Sequence, residues 1–158
     1  SAASDVYKRQ LLINARSETI AKKPAFSNAS RARRCLIPCS GFYEWSKDLE
    51  GNKIPWFIKR NDNAPMVFGG VWQEWSDESG IIKTCAIVTT ASNSKLSRIH
   101  HRLPLVLERN NWGFWLGEEG HGASALMRPT ADETLKAYRV SKNINSNRAS
   151  GPDLISPL

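Results

Sequence analysis

Three small polar clusters in this 158-residue chain carry the side chains best suited to chemistry. The first is Asn14, Arg16 and Glu18. The second is Glu44 within Gly41-Phe42-Tyr43-Glu44-Trp45, and the third is His100, His101 and Arg102. Each sits at the end of an apolar run, where strand ends can turn side chains onto one pocket. A carboxylate and an imidazole that meet in a cleft are the usual equipment for proton transfer near neutral pH. Arginines beside them can hold phosphates through paired hydrogen bonds.

Every one of these residues also has a plainer reading. Glu44, between aromatics in a strand, could pair with an arginine that neutralises a partly buried charge. His100 could be a helix C-terminal residue favoured by the macrodipole. Arg16 with Glu18 could be an ordinary ion pair. Pattern alone leaves these alternatives open.

Composition narrows the setting. Lys and Arg number 22 against 15 Asp and Glu, a net charge of +7. The excess clusters at Arg31, Arg33 and Arg34 and again at Arg98, Arg102 and Arg109, as expected of a protein that meets polyanions. Six tryptophans offer faces on which bases stack, although core packing accounts for most of them. The longest apolar runs, Met66–Val71 and Leu103–Leu107, fall far short of the roughly 18 residues that cross a bilayer, so no membrane span is expected. Three cysteines, Cys35, Cys39 and Cys85, argue against a disulfide framework and for a reducing, cytoplasmic setting. Their spacing offers no second close ligand pair, so neither a metal nor another cofactor is expected. Ser1–Gln10 fits neither a secretory pattern nor a lead into the next strand and reads as a non-native leader to a single domain over residues 11–158.

The elements that must position the clusters are mostly strands. Leu11–Asn14 reads as a short strand and Ser17–Ala29 as a connector with helical turns interrupted by Pro24. Arg34–Ile37 and Gly41–Trp45 read as strands separated by a bend at Pro38 and Cys39, and Ile54–Lys59 returns on the second of them. Pro65–Trp75 and Ile82–Thr90 form a second hairpin, with Gly69 and Gly70 marking a bulge or a close approach. Ala91–Ile99 has helical spacing with Ser92 or Asn93 as cap. Asn110–Leu116 and Ala131–Leu135 read as short helices and Lys136–Val140 as the last strand. The sum is an α+β fold, one domain around a curved, largely antiparallel, barrel-like sheet with short peripheral helices.

Taken in order, the motifs resemble those of a known family. Asn14-Ala15-Arg16-Ser17-Glu18-Thr19, Arg34-Cys35-Leu36-Ile37-Pro38, Gly41-Phe42-Tyr43-Glu44-Trp45, Gly69-Gly70-Val71-Trp72, Thr89-Thr90 and Ile99-His100-His101-Arg102-Leu103-Pro104 are similar to successive motifs of the SOS response-associated peptidase (SRAP) family. The resemblance implies recognition of abasic sites in single-stranded DNA. In that family an N-terminal cysteine, exposed by self-removal of the initiator methionine, forms a thiazolidine crosslink with the opened sugar. It further implies catalytic roles for Glu44, His100 and Asn14, phosphate contacts for Arg16 and Arg102, and a monomer in the bacterial cytoplasm, associated with the nucleoid. His101 falls where the family varies.

One departure stands out. The family's Met-Cys-Gly-Arg-type opening has no counterpart, and Ser1–Gln10 stands in its place, so the chain is read as N-terminally incomplete and unable to form the crosslink. Two competitors remain: a non-catalytic single-stranded nucleic-acid-binding module, and a general cysteine peptidase built on an internal Cys-His pair. Convergence of Glu44 and His100 on one accessible space separates the first competitor from the enzyme.

Overall fold

In the computed structural model, which describes residues 12–158 except Ser79, the strands in chain order are β1 (Asn14–Arg16), β2 (Arg34–Cys39), β3 (Phe42–Lys47), β4 (Lys53–Arg60), β5 (Met66–Asp77), β6 (Gly80–Ala91), β7 (Arg102–Pro104) and β8 (Leu135–Arg139). Two short helices join them, α1 (Ser27–Ala32) and α2 (Trp112–Leu116). The expected leader and Leu11 lie outside the described residues.

The strands make two sheets that do not close into a barrel. The first runs β1-β6-β5-β2 with β7 also on β6, and the second runs β3-β4-β8. All pairings are antiparallel except β1 with β6. Closure fails because the chain leaves the first sheet at Ser40–Gly41 and starts a new one with β3, rather than continuing the same ladder. The expected bend at Pro38 and Cys39 is displaced for a simple reason. β2 is an edge strand, so Pro38 loses no ladder bond by lacking an N–H, and the strand runs through it opposite Val67.

Side-chain alternation divides the core between the two faces of the first sheet. Ala15, Val71, Ala86, Val88, Leu105 and Leu107 pack on one face with Ile20, Phe26 and Trp115. Met66, Phe68, Leu103 and Val106 pack on the other with Ile58 and Leu135 of the second sheet. The segment after β7 serves both faces because β5 and β6 part beyond the Gly70–Ile87 pair. Residues 104–107 fill the gap: Leu105 N–H donates to Val88 O (2.7 Å) and Gly69 N–H donates to Leu105 O (2.9 Å). That insertion explains the glycine pair. A Cβ on Gly69 would stand 2.9 Å from Leu105 Cδ2 and 3.1 Å from the Trp115 ring, and one on Gly70 2.6 Å from Ile37 Cδ1. Close approach, not a bulge, is what these positions require.

Local structure departs from expectation in three places. β6 continues to Ala91, and the expected helix from there to Ile99 is a series of turns, headed by Asn93, whose Oδ1 accepts from Leu96 N–H (3.0 Å). Ala131–Leu135 is a turn closed by Thr134 N–H to Ala131 O (3.1 Å), and Leu135, fully buried, already belongs to β8. The helix at Asn110–Leu116 is split into a 3-10 turn at Arg109–Asn111 and α2, which Gly117 terminates at a left-handed φ of 84°. Among the described residues, no helix is long and apolar enough to cross a membrane.

The arginine clusters are also more structural than their charge implied. Arg34 donates to Ser30 O (2.9 Å), Arg31 O (2.8 Å) and Trp115 O, tying the end of α1 to α2. Arg33 donates to Trp72 O (3.2 Å). Arg98 lies over the Trp56 ring and Arg109 over Trp112. Free carbonyls at helix ends and aromatic faces attract the same guanidinium groups that a polyanion would.

Candidate active site

The sheet register brings the first and third polar clusters together. Ala15 is fully buried, so strand alternation sends Asn14 and Arg16 out of the opposite face, where both are exposed. Parallel pairing sets Arg16 beside Thr89 of β6. Antiparallel pairing sets Pro104 against the same Thr89, and Arg102 against Ala91. The last five residues of β6, Ile87–Ala91, therefore hold β1 on one edge and β7 on the other, with Thr89 common to both. Glu44 arrives from the second sheet, on β3 opposite Trp56.

Asn14, Arg16, Glu44, His100 and Arg102 line one cleft of about 390 Å³, together with Lys23, Phe26, Thr89, His101 and Pro104. A larger opening of about 800 Å³ lies on the far side of Glu18, bordered by Arg31, Arg34 and His121. Size does not decide between them. The smaller cleft brings a carboxylate and an imidazole to 3.9 Å, whereas in the larger Glu18 is taken by Arg102 and forms no ion pair with His121 among the described residues.

His100 Nδ1 lies 3.9 Å from Glu44 Oε1. This is beyond a hydrogen bond, a separation that an apo site commonly shows before substrate tightens it. Burial pushes the Glu44 carboxyl above its ordinary value near 4.5, against the opposing pull of the His100 charge and the Trp45 backbone N–H. A half-buried carboxyl that holds its proton more strongly than usual is suited to give it to a substrate oxygen. The arginine partner that the plainer reading required for Glu44 is absent among the described residues.

The imidazole is held by backbone. Arg102 N–H donates to His100 Nδ1 (3.1 Å), and the same nitrogen lies 2.9 Å from Arg102 O. The first contact needs a lone pair on Nδ1 and the second a proton, so the backbone of one residue serves both protonation states. Nε2 has no hydrogen-bond partner among the described residues. His100 ends a turn, His100 N–H to Leu96 O (3.2 Å), but no helix precedes it to supply a macrodipole.

Arg16 is exposed and its side chain makes no hydrogen bond or ion pair among the described residues, leaving its fork open to the cleft. Arg102 differs. Nη1 and Nη2 donate to the Glu18 carboxylate (2.6 and 3.0 Å), and Nη2 also donates to Thr89 O (2.7 Å) and Thr89 Oγ1 (3.1 Å). Its remaining Nε–H is buried without a partner. The pair holds the Glu18 carboxyl down at about 2, from an ordinary 4.5. The ion pair that sequence allowed between Arg16 and Glu18 thus forms between Glu18 and Arg102.

One lining residue escaped the sequence reading, and two entered it without a role. Lys23 folds back from the connector through turns at Thr19, Lys23 N–H to Thr19 O (3.0 Å), a return that composition does not signal. Thr89 was visible only as a motif residue. His101 stacks on His100 with ring centroids 4.6 Å apart. None of the three cysteines lines the cleft, and burial pushes the Cys35 and Cys39 thiols up, which removes the basis for an internal cysteine nucleophile.

Comparison with known proteins identifies the family. The family model described as "SOS response associated peptidase (SRAP)" matches residues 1–147. The chain is 35% identical over 148 residues to abasic site processing protein YoaM of Bacillus subtilis (strain 168), covering 91% of this chain and 65% of that protein. It is 34% identical to abasic site processing protein YoqW of the same organism, covering 91% of this chain and 66% of that one. It thus spans just under two thirds of the length of these relatives. A crystal structure of a protein from Bacteroides thetaiotaomicron superposes with a TM-score of 0.88 at 28% identity, over 100% of this chain and 71% of that one. The chain belongs to the SOS response associated peptidase family.

Proposed function

We propose that this chain is the lesion-binding part of an abasic-site sensor for single-stranded DNA, acting as a monomer, and that its cleft supplies the acid-base chemistry of a covalent DNA-protein crosslink. The observation that carries the reading is the meeting of Asn14, Glu44 and His100 in one cleft beside the open cation Arg16. An abasic sugar closes as a hemiacetal, and opening it requires a proton on the ring oxygen. Glu44 is the donor. Asn14 offers an amide to orient the opened sugar, and Arg16, with Lys23, meets the flanking phosphates. Arg102 joins them as a phosphate clamp only if it exchanges its Glu18 partner.

The crosslink itself needs an amine and a thiol on one residue, the N-terminal cysteine that autopeptidase removal of the initiator methionine would expose. The amine condenses with the aldehyde carbon and releases water, and the thiol then adds to the resulting C=N bond to close the thiazolidine. His100 takes the proton leaving nitrogen and returns it to the departing oxygen. Cys35, Cys39 and Cys85 are internal, with amide nitrogens, so none of them substitutes. Without that N-terminal cysteine the cleft is expected to bind DNA without closing the ring.

The test extends the chain with a family-type Met-Cys-Gly-Arg opening and incubates it with single-stranded DNA carrying one abasic site. A heat-stable shifted band on a denaturing gel, from the extended chain only, is the expected result. Retardation on a native gel by both chains, with no heat-stable band from either, would instead establish the non-catalytic binding module.

A further inference from the structure

Glu18 and His101 are the two members of the three polar clusters that the proposed chemistry leaves unused. The Glu18 carboxylate takes both terminal nitrogens of Arg102, whose side chain is only 15% exposed. Thr89 of β6 holds the same guanidinium from the other side. Arg102 in turn is the residue whose backbone N–H and C=O flank His100 Nδ1. One unbroken line of hydrogen bonds therefore runs from Glu18 through Arg102 to the imidazole.

We propose that Glu18 is a positioning residue for His100: by anchoring the Arg102 side chain to β6 it fixes the Arg102 backbone N–H and C=O against Nδ1 and so holds the ring in place. The inference rests on the proposed proton-transfer role of His100. A paired phosphate clamp by Arg102 would demand that Glu18 leave, because Nε–H is buried, Nη2 is taken by Glu18 and Thr89, and Nη1 has only its second N–H without a partner. In the neutral ring Nδ1 either accepts from Arg102 N–H (3.1 Å), with the proton on Nε2, or donates to Arg102 O (2.9 Å). On protonation, Nδ1–H turns to Arg102 O and to Glu44. Cutting the anchor frees the short β7 strand at its first residue, and both backbone contacts to Nδ1 then loosen. The charged and titratable groups sharing the cleft with the ring are Glu44 from β3, Arg16 from β1, Lys23 from the connector, and the neighbouring His101 and Arg102.

The experiment compares the unaltered chain with Glu18→Ala and Glu18→Gln. The first readout needs no DNA: 15N shifts of the His100 ring nitrogens across pH, assigned with His100→Gln. The ring shifts of Glu18→Ala are expected to move toward those of a free imidazole, with Glu18→Gln between the two because it keeps one acceptor for Arg102. In the chain extended with an N-terminal cysteine, the crosslinking rate is expected to fall about tenfold, the loss typical of a broken charge-assisted contact, and its pH profile to shift. Affinity for undamaged single-stranded DNA is expected to stay within about twofold, since no direct phosphate contact is lost. Unchanged ring shifts in a folded Glu18→Ala chain overturn the proposal. So does DNA binding that tightens on removal of Glu18, which would make the carboxylate a competitor for a phosphate clamp. If the extended parent itself forms no crosslink, the function proposed above fails, while the ring shifts still decide the positioning role.

Discussion

Replacing Glu18 by Gln leaves the shape of the Glu18–Arg102 contact and removes its charge, which makes it a measure of what the pair contributes to folding. Arg102 lowers the Glu18 carboxyl from 4.5 to about 2. At about 1.4 kcal/mol per pH unit the full effect would be roughly 3 kcal/mol. Glu18 is 53% exposed, however, and water screens it. Exposed pairs return about 0–1 kcal/mol, and the bidentate geometry with a mostly buried arginine places this one at the top of that range, about 1 kcal/mol. For a chain of this length that is a fall in Tm of about 3 °C. The pH dependence follows from linkage. The unfolded carboxyl takes up its proton near 4.5 and the folded one resists until about 2, so the stabilisation is complete above 4.5 and lost as pH falls toward 2. Urea midpoints of the two proteins between pH 7.5 and pH 2.5 should therefore differ by this amount at the upper end and converge at the lower. Other groups titrate in both proteins and cancel in the difference. A gap that persisted unchanged to pH 2.5, or that ignored 0.5 M salt against about 0.05 M, would show that the carboxylate charge is not its source.

Glu44→Gln is expected to lower the crosslinking rate of the extended chain by about 10²–10⁴, measured in single-turnover gel assays. The same change should stabilise the fold at neutral pH. The Glu44 carboxyl is raised above 4.5 in the folded state, so the native state is favoured below that pH and loses stability as pH rises through the folded value; the amide escapes the loss. Arg16→Ala is expected to weaken single-stranded DNA binding regardless of base sequence and to reduce the slope of log K against log salt by about 0.7, read from a fluorescence-anisotropy salt series. Gly69→Ala should destabilise by about 1–3 kcal/mol in urea, since the new methyl meets Leu105 and the Trp115 ring at 2.9 and 3.1 Å, neither of which has room to retreat.

How far the site was legible in sequence depends on which interactions place each residue. Asn14 and Arg16 flank a buried Ala15, and their common orientation follows from strand alternation alone. Glu44 and His100 lie 56 positions apart and meet across two sheets. Only the ordered motif set connected them, because pairwise spacing carries no tertiary information at that separation. The hairpins were legible because β-branched and aromatic runs bounded by turn residues are a local signal. Closure of a barrel is not local. It depends on whether β3 extends the ladder of β2 or departs from it at Ser40–Gly41, and the same strand pattern is compatible with both. The helix expected after Ala91 failed because β6 is drawn on by β7: Thr90 and Ala91 find ladder partners in Leu103 and Arg102, and those bonds outweigh the local helical pattern.

The arginines show the same limit from the electrostatic side. Net charge and clustering pointed to a polyanion, yet Arg33, Arg34 and Arg102 are committed to carbonyl or carboxylate oxygens within the fold. What distinguishes Arg16 is the absence of such a partner among the described residues, a property of its surroundings. A count of positive charge therefore overstates the cations available to DNA. The salt slope for this chain should accordingly reflect Arg16, Lys23 and a few other open cations, and fall well short of the number of lysines and arginines in the sequence.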